Sequence, residues 1–369
     1  MSFDIHGEGY LAPRTMFQID SLYAWKHDKY FPPVVAEINT TSVCNQKCRY
    51  CYSHGRTNGK MEEDTLLGLL PKLSDAGVKA AVFQGTGEPF MNKALPAAIE
   101  NGADTDISIS ITTNGVLFTP TIQKRILQNL AYLKFSVLDD DPGRYAYYHG
   151  CDEKQWEVAI NNIKHAVELR KRENIDVFFL STVYLFDQNF HDAYRIVKFL
   201  KDLGIDYVSV QEAVFNEYSI TGPEPLASDS FSELEIAAMT KKVLSLKDDQ
   251  FHVRVRFPVT DSTFTHGRDN TCWEDNWCQG IKFNTLINSD GEVYPCFRYW
   301  GDKEFSYGNI MQQDFADIWK ADRRQEIVKY TNCTAPKSDE CSVCNVTKIN
   351  DILSDYQKAS QKKWKNFLI

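Results

Sequence analysis

From residue 34 to residue 210, short apolar runs alternate with longer stretches whose apolar positions recur at helical spacing. The run at 34–38 reads as a strand. Helical periodicity over 61–76 stops at Gly77, and the next apolar run is 80–83. A helix around 94–101 stops at Gly102 before a strand at 107–112; a helix over 120–130 precedes a strand at 133–137. A long helix at 155–172 precedes the β-rich segment 177–185, and a helix at 190–203 stops at Gly204 before the run 207–210. Glycine just past the last periodic residue is a physical stop, because it takes the left-handed cap conformation without strain. Strand–helix units of about 30 residues predict a parallel sheet with crossover helices. Six such units are fewer than the eight of a closed barrel. The expected fold class is therefore α/β, an open, partial (βα)6 TIM-like barrel.

The flanks differ. Residues 1–33 are aromatic and irregular, end in Phe31-Pro32-Pro33, and are expected to pack on the main domain as an extension. Residues 216–229 are polar with Pro and Gly, a loop; 231–246 reads as a helix and 251–257 as a strand with alternating Arg254 and Arg256. After Pro258 cysteines and turns become dense, and two helices close the chain. The expected organisation is 1–33 extension, 34–257 barrel, and 258–369 a small domain of a β-hairpin plus helices.

Composition narrows the class. Of 369 residues, 43% are hydrophobic and 25% charged, as in an ordinary globular protein. A net charge of −9 argues against broad nucleic-acid binding, which needs a basic surface. The first residues lack a basic segment followed by an apolar one, so no signal peptide is read, and no apolar run approaches the ~18 residues of a membrane span. Ten cysteines without an export signal point to the reducing cytoplasm, where clustered thiols are metal ligands more often than disulfides.

Three of those thiols stand in eight residues, Cys44-Asn45-Gln46-Lys47-Cys48-Arg49-Tyr50-Cys51. An iron–sulfur cube normally takes one thiolate on each of its four irons. Three from one loop leave one iron open, where chemistry happens. The alternative is a zinc knuckle with His54 as a fourth ligand. The spacing C-x3-C-x2-C, with an aromatic before the last cysteine, resembles the signature of the radical S-adenosylmethionine (SAM) superfamily. The resemblance implies a [4Fe–4S] cluster on Cys44, Cys48 and Cys51 whose open iron chelates SAM. It also implies a reduced flavodoxin or ferredoxin as electron donor, and cleavage of SAM to a 5′-deoxyadenosyl radical that abstracts hydrogen from substrate.

Further segments fall where that family needs them. Tyr50 would lie against the adenine, offering a stacking face. Gln84-Gly85-Thr86-Gly87-Glu88-Pro89 resembles the family's GGEP motif: Gly85 and Gly87 would let the backbone approach SAM, and Glu88 would receive its ammonium. Thr86 departs from the usual glycine. Asn114, in Thr112-Thr113-Asn114-Gly115, and Ser136 on the fourth strand stand at the C-terminal ends of strands, which face the ligand crevice. Thr113 and Asn114 also read as turn residues. Leu138-Asp139-Asp140-Asp141-Pro142 departs from the form many relatives show, and Gln211 and Glu212 face either SAM or substrate.

The remaining cysteines form a second set. Cys278 and Cys296 are joined by alternating residues around a Ser-Asp-Gly turn, a β-hairpin pattern. With Tyr307-Gly308-Asn309-Ile310 and Cys341-Ser342-Val343-Cys344, the stretch 272–346 resembles the SPASM/twitch extension of radical SAM enzymes. The resemblance implies one auxiliary [4Fe–4S] cluster on Cys278, Cys296, Cys341 and Cys344, with Cys272 and Cys333 as spare thiols. The alternative is a zinc site with four cysteine ligands. Cys151 stands alone and reads as a packed or surface residue, and the histidines other than His54 show no metal-ligand spacing. Arg254, Arg256 and Arg268 either meet an anionic substrate or mark a solvated face; residues 358–365 read as a solvated basic helix end.

The expected function is radical abstraction from a small polar intermediate of sugar, aminocyclitol or nucleoside type, with the auxiliary cluster assisting oxidation or radical control. The short N-terminal extension and the single auxiliary cluster favour that substrate over a peptide. The alternatives are a SPASM-type maturase of a peptide or protein side chain, and a non-catalytic iron–sulfur or zinc-binding protein.

Overall fold

The computed structural model describes residues 18–51, 53, 55–213, 215, 219–221, 230–257, 278–333, 349–350 and 353. Its centre is one ten-stranded sheet in the order β10-β9-β8-β1-β2-β3-β4-β5-β6-β7. The first six strands, β1 (Val35–Ile38), β2 (Ala80–Phe83), β3 (Ser108–Thr113), β4 (Leu130–Phe135), β5 (Phe178–Leu185) and β6 (Tyr207–Glu212), pair parallel in sequence order. Crossover helices Glu63–Asp75, Leu95–Asn101, Pro120–Ile126, Lys154–Glu173 and Ala193–Leu203 cover the outer face. These are the expected strand–helix units.

Two more strands join the parallel set. β7 (His252–Arg256) follows the helix Glu233–Leu244 and pairs parallel with β6. β8 (Asn284–Ile287) pairs parallel with β1, Val35 opposite Asn284 and Ile38 opposite Ile287. The hairpin partner β9 (Glu292–Tyr294) and the short β10 (Gly308–Asn309) continue the sheet antiparallel. The C-terminal hairpin is thus built onto the barrel sheet beside β1. Among the described residues β7 and β8 are not paired, so the barrel stays open.

Each strand divides its side chains between two faces. Ala36, Ile38, Leu133, Phe135, Val253 and Val255 belong to the apolar core shared with the helices. Glu37, Lys134 and Arg256 alternate with them and face the barrel interior. Electrostatic influence of Glu37 on β1 and Arg256 on β7 upon Lys134 on β4 requires the sheet to curl, since these strands are several places apart.

Two helices are unanticipated: Ile19–Lys26, inside the stretch read as irregular, and, after β4, Pro142–His149. Asp141 caps it, its carboxylate accepting from the Arg144 N–H at 2.8 Å, and Pro142 occupies the first turn. Near the start of the described residues, Trp25 lies with Val34, Phe283, Ile349 and Leu353. Among the described residues no helix is long and apolar enough to cross a membrane.

Candidate active site

β1 delivers the chain into the cysteine loop at the C-terminal ends of the strands, the ligand-facing side of parallel sheets. The loop is held from below by the helix Pro142–His149. The N–H groups of Lys47 and Arg49 donate to the carbonyls of His149 and Tyr148 at 3.0 and 2.9 Å. Gly150 ends that helix left-handed at φ 57°, and a Cβ there would stand 2.2 Å from the Lys47 carbonyl oxygen. Glycine is needed for both reasons.

Within the loop the Cys51 N–H donates to the Cys48 carbonyl at 3.1 Å, a tight turn. Cys44 is exposed, Cys48 and Cys51 half-buried, and all three are free thiols. Desolvation pushes the Cys44 thiol up to about 11, and burial with the charges of Cys51 and Cys44 pushes Cys48 up as well. The three sulfurs therefore share one neighbourhood. Among the described residues no three His, Cys, Asp or Glu side chains gather tightly enough for a single metal ion. A cube asks something different, one thiolate per iron around a shared space, and this donor set fits it.

His149 is fully buried beneath the loop. Its Nδ1 lies 2.8 Å from Gln46 Oε1 and 3.4 Å from Cys48 Sγ, its Nε2 is 3.4 Å from the Tyr50 hydroxyl, and its ring stacks on Tyr145 at 4.0 Å. Desolvation pushes this imidazole down to about 3, so it is neutral. Cys151 is also close: the Gln46 amide reaches its sulfur at 3.8 Å and its charge bears on Cys48. Neither residue has a sequence signal, because both arrive through the fold from about a hundred positions away.

The glycine motif after β2 packs directly on the cysteine loop. A Cβ on Gly87 would stand 2.4 Å from the carbonyl oxygens of both Thr41 and Val43, and the Glu88 N–H donates to Val43 at 3.0 Å. A Cβ on Gly85 would strike the Asn39 side chain at 2.4 Å. Glu88 is buried: its Oε1 accepts from the Thr113 hydroxyl at 2.6 Å and its Oε2 from the Asn114 N–H at 2.8 Å. Burial pushes the carboxyl up to about 7 against those bonds. Asn114 reaches on to the loop, its Nδ2 donating to Asn45 Oδ1 at 2.7 Å. Cysteine loop, glycine turn and third-strand end thus form one braced unit.

Thr86, which departs from the glycine expected in the motif, has a physical role. Its hydroxyl accepts from Asn39 Nδ2 at 3.0 Å and lies 3.0 Å from the Thr57 hydroxyl. The same Asn39 amide donates to Asn288 Oδ1 at 2.9 Å, which also accepts from Trp300 Nε1 at 3.0 Å. Arg56 donates to the Phe297 carbonyl at 2.7 Å. The network ties the first cysteine region to the hairpin carrying the second.

Tyr50 lies with Tyr184 and Phe186 at ring distances of 5.1 and 5.7 Å. Ser136 is half-buried, its N–H donating to Thr113 O at 2.8 Å. Gln211 and Glu212 end β6.

Of the second set, Cys278 and Cys296 are half-buried and free. The hairpin brings them together, since both sulfurs bear on the Tyr307 hydroxyl. That hydroxyl is buried and, among the described residues, has no hydrogen-bond partner. A donor left without an acceptor beside two thiols fits an iron–sulfur cluster there, whose sulfurs accept. Asn350 Nδ2 also reaches Cys278 Sγ at 3.6 Å. Cys272, Cys341 and Cys344, like Arg268 and His54, lie outside the described residues, and Cys333 closes the last described long helix.

Residues 38–200 match the Radical SAM superfamily, and residues 278–345 match SPASM, an iron-sulfur cluster-binding domain. The tungsten-containing aldehyde ferredoxin oxidoreductase cofactor-modifying protein of Pyrococcus furiosus is 22% identical over 85% of this chain and 90% of its own length. The cysteine-type anaerobic sulfatase-maturating enzyme of Clostridium perfringens is 23% identical over 85% of this chain and 86% of its own. Among solved structures, Streptococcus suis SuiB bound to S-adenosylmethionine superimposes with a TM-score of 0.64 at 17% identity, covering 89% of this chain and 74% of that one.

Proposed function

We propose that this chain, which belongs to the radical SAM superfamily and carries a SPASM iron–sulfur cluster-binding domain, is an enzyme that abstracts a hydrogen atom from a small polar substrate held inside the barrel. The observation that supports this substrate class is the interior wall: Glu37, Gln84, Thr112, Lys134, Gln211 and Arg256 line it below the cysteine loop. Polar groups at fixed positions select polar ligands, because an apolar one would leave them desolvated and unpaired.

Cys44, Cys48 and Cys51 hold the SAM cluster, and the second set, with Cys278 and Cys296 among its ligands, holds one auxiliary [4Fe–4S] cluster. When bound, the first cluster and SAM supply a 5′-deoxyadenosyl radical. The protein's share is positional. Gly85, Gly87, Glu88 and Asn114 would form the floor for SAM, Tyr50 would offer its ring to the adenine, and Ser136 would meet the ribose or carboxylate. The aromatic group of Tyr50, Tyr184 and Phe186 keeps water from that side. A reduced flavodoxin or ferredoxin would supply electrons in a reducing, cytoplasmic setting.

A second reading is maturation of a peptide or protein side chain, favoured by the sulfatase-maturating relative that aligns along most of both chains. Anaerobic reconstitution with iron and sulfide, then dithionite and SAM, tests the common core. 5′-Deoxyadenosine must form, and must vanish in the Cys44→Ala/Cys48→Ala/Cys51→Ala variant. Retention of about half the iron in that variant supports one auxiliary cluster.

A further inference from the structure

The barrel interior carries a charge arrangement that the radical chemistry does not need. Lys134 lies on β4 opposite Thr112, one inward position below Ser136. The Thr112 hydroxyl donates to Gln84 Oε1 at 3.1 Å, and Gln84 Nε2 donates to Glu37 Oε2 at 2.6 Å. Asn284 Nδ2 donates to the other Glu37 oxygen at 3.3 Å. Two amides therefore hold the Glu37 carboxylate, and it forms no ion pair with Lys134. Among the described residues the Lys134 ammonium has no hydrogen bond or ion pair.

Arg256 faces it from β7, its guanidinium 3.5 Å from Gln211 Oε1. Two cations directed into one interior repel each other. An interior ammonium without a hydrogen bond or ion-pair contact is costly. An anion between them would relieve both costs.

We propose that Lys134 and Arg256 form the anion-holding end of the substrate site, gripping a carboxylate or phosphoryl group of the substrate while its reacting carbon lies toward the Cys44–Cys51 loop. Arg suits a planar or tetrahedral oxyanion through paired N–H donors, and Lys adds a point charge that follows it. Glu37, held by its amides, marks the side where an anion is repelled, so the pair sets orientation as well as affinity. Burial and the Arg256 charge push the Lys134 ammonium down to about 8, and Glu37 opposes them only in part. The inference rests on the proposed function only in placing the substrate inside the barrel.

The test uses the full chain, reconstituted anaerobically and saturated with SAM. Pyrophosphate and succinate serve as phosphoryl and carboxylate probes in calorimetric titrations. At least one probe should bind, identifying the anion class, and its affinity should fall at least tenfold in Lys134→Met and in Arg256→Met. Lys134→Arg should restore most of the binding, which separates lost charge from lost folding. No binding of either probe to the wild type, or equal binding by the wild type and both Met variants, overturns the proposal. Displacement of the probe by SAM also overturns it, since the cations would then serve the SAM carboxylate. A wild type that binds a probe but makes no 5′-deoxyadenosine would instead overturn the radical reading.

Discussion

Replacing Lys134 by methionine should stabilise the protein at neutral pH, and the gain should disappear as the pH rises. Methionine keeps the length of the aliphatic stem, so packing is little disturbed. In the fold, burial and Arg256 hold the ammonium near 8, against an ordinary value of 10.5. Between those values the unfolded chain binds a proton that the folded chain does not, so wild-type stability rises with pH across this window. At 1.36 kcal/mol per pH unit the full effect is ~3.4 kcal/mol. Lys134 is only half-buried, so water screens part of this and about 1–2 kcal/mol is the expected share. With unfolding entropy near 2.1 cal/mol/K per residue, that is about 2 °C in Tm for a chain of this length. Scanning calorimetry of both reconstituted proteins, anaerobically from pH 7 to 10, reads the difference. The Met variant should melt higher at pH 7, with the gap closing toward pH 10. A gap independent of pH, or a wild type more stable at pH 7, would refute the argument that Lys134 is a desolvated cation.

Three other perturbations bear on the braces around the site. Gly87→Ala places a methyl 2.4 Å from two carbonyl oxygens of the cysteine loop and should cost about 1–3 kcal/mol. Its signature is loss of the SAM-binding cluster's electron paramagnetic resonance signal with the auxiliary signal kept; an unchanged spectrum counts against the close packing. Tyr307→Phe removes a buried hydroxyl that lacks a partner among the described residues, so the apo variant should be more stable by about 1 kcal/mol. In the reconstituted protein it should lower the auxiliary cluster's reduction potential, and an unmoved potential would show that this hydroxyl does not donate to the cluster. Arg56→Met deletes a charge-assisted bond to the Phe297 carbonyl, a loss of roughly 1.5–3 kcal/mol. Amide exchange around residues 297–300 should accelerate at least tenfold; unaltered exchange would mean that the brace is redundant.

The local elements were legible because their signals are local. Apolar runs and glycine stops placed β1 to β6 within a few residues, and the strand at 80–83 without error. The helix Pro142–His149 escaped, although Asp141-Pro142 is a helix-start signal, because eight residues are too few to display helical periodicity. The β1–β8 pairing joins residues nearly 250 positions apart, and no short-range periodicity reports such a partner. Thr86 looked like a weakened motif, whereas its hydroxyl belongs to a buried network. Alternating Arg254 and Arg256 left two readings open, since period two shows that one face differs but not which face is inside. Only the curl of the sheet, setting Arg256 toward Lys134, decides it.

That curl also changes what the second cysteine set is. Its hairpin begins as a strand of the barrel sheet, hydrogen-bonded along β1, the strand that delivers the chain to Cys44. Adjacent strands lie about 4.8 Å apart, so both cysteine regions are hung from neighbouring strands of one rigid sheet. Asn39 and Asn288 then join the strand ends directly, and Arg56 reaches the residue after Cys296. A tethered domain would let the two regions drift with its linker; here their separation is set by hydrogen-bond register. Anything that slips β8 against β1 by one residue would reverse every side chain on β8 and break the Asn39–Asn288 bond at once. Hence the relation between the two cluster sites should be as stiff as the barrel itself, and substitutions at Asn288 should disturb both cysteine regions together.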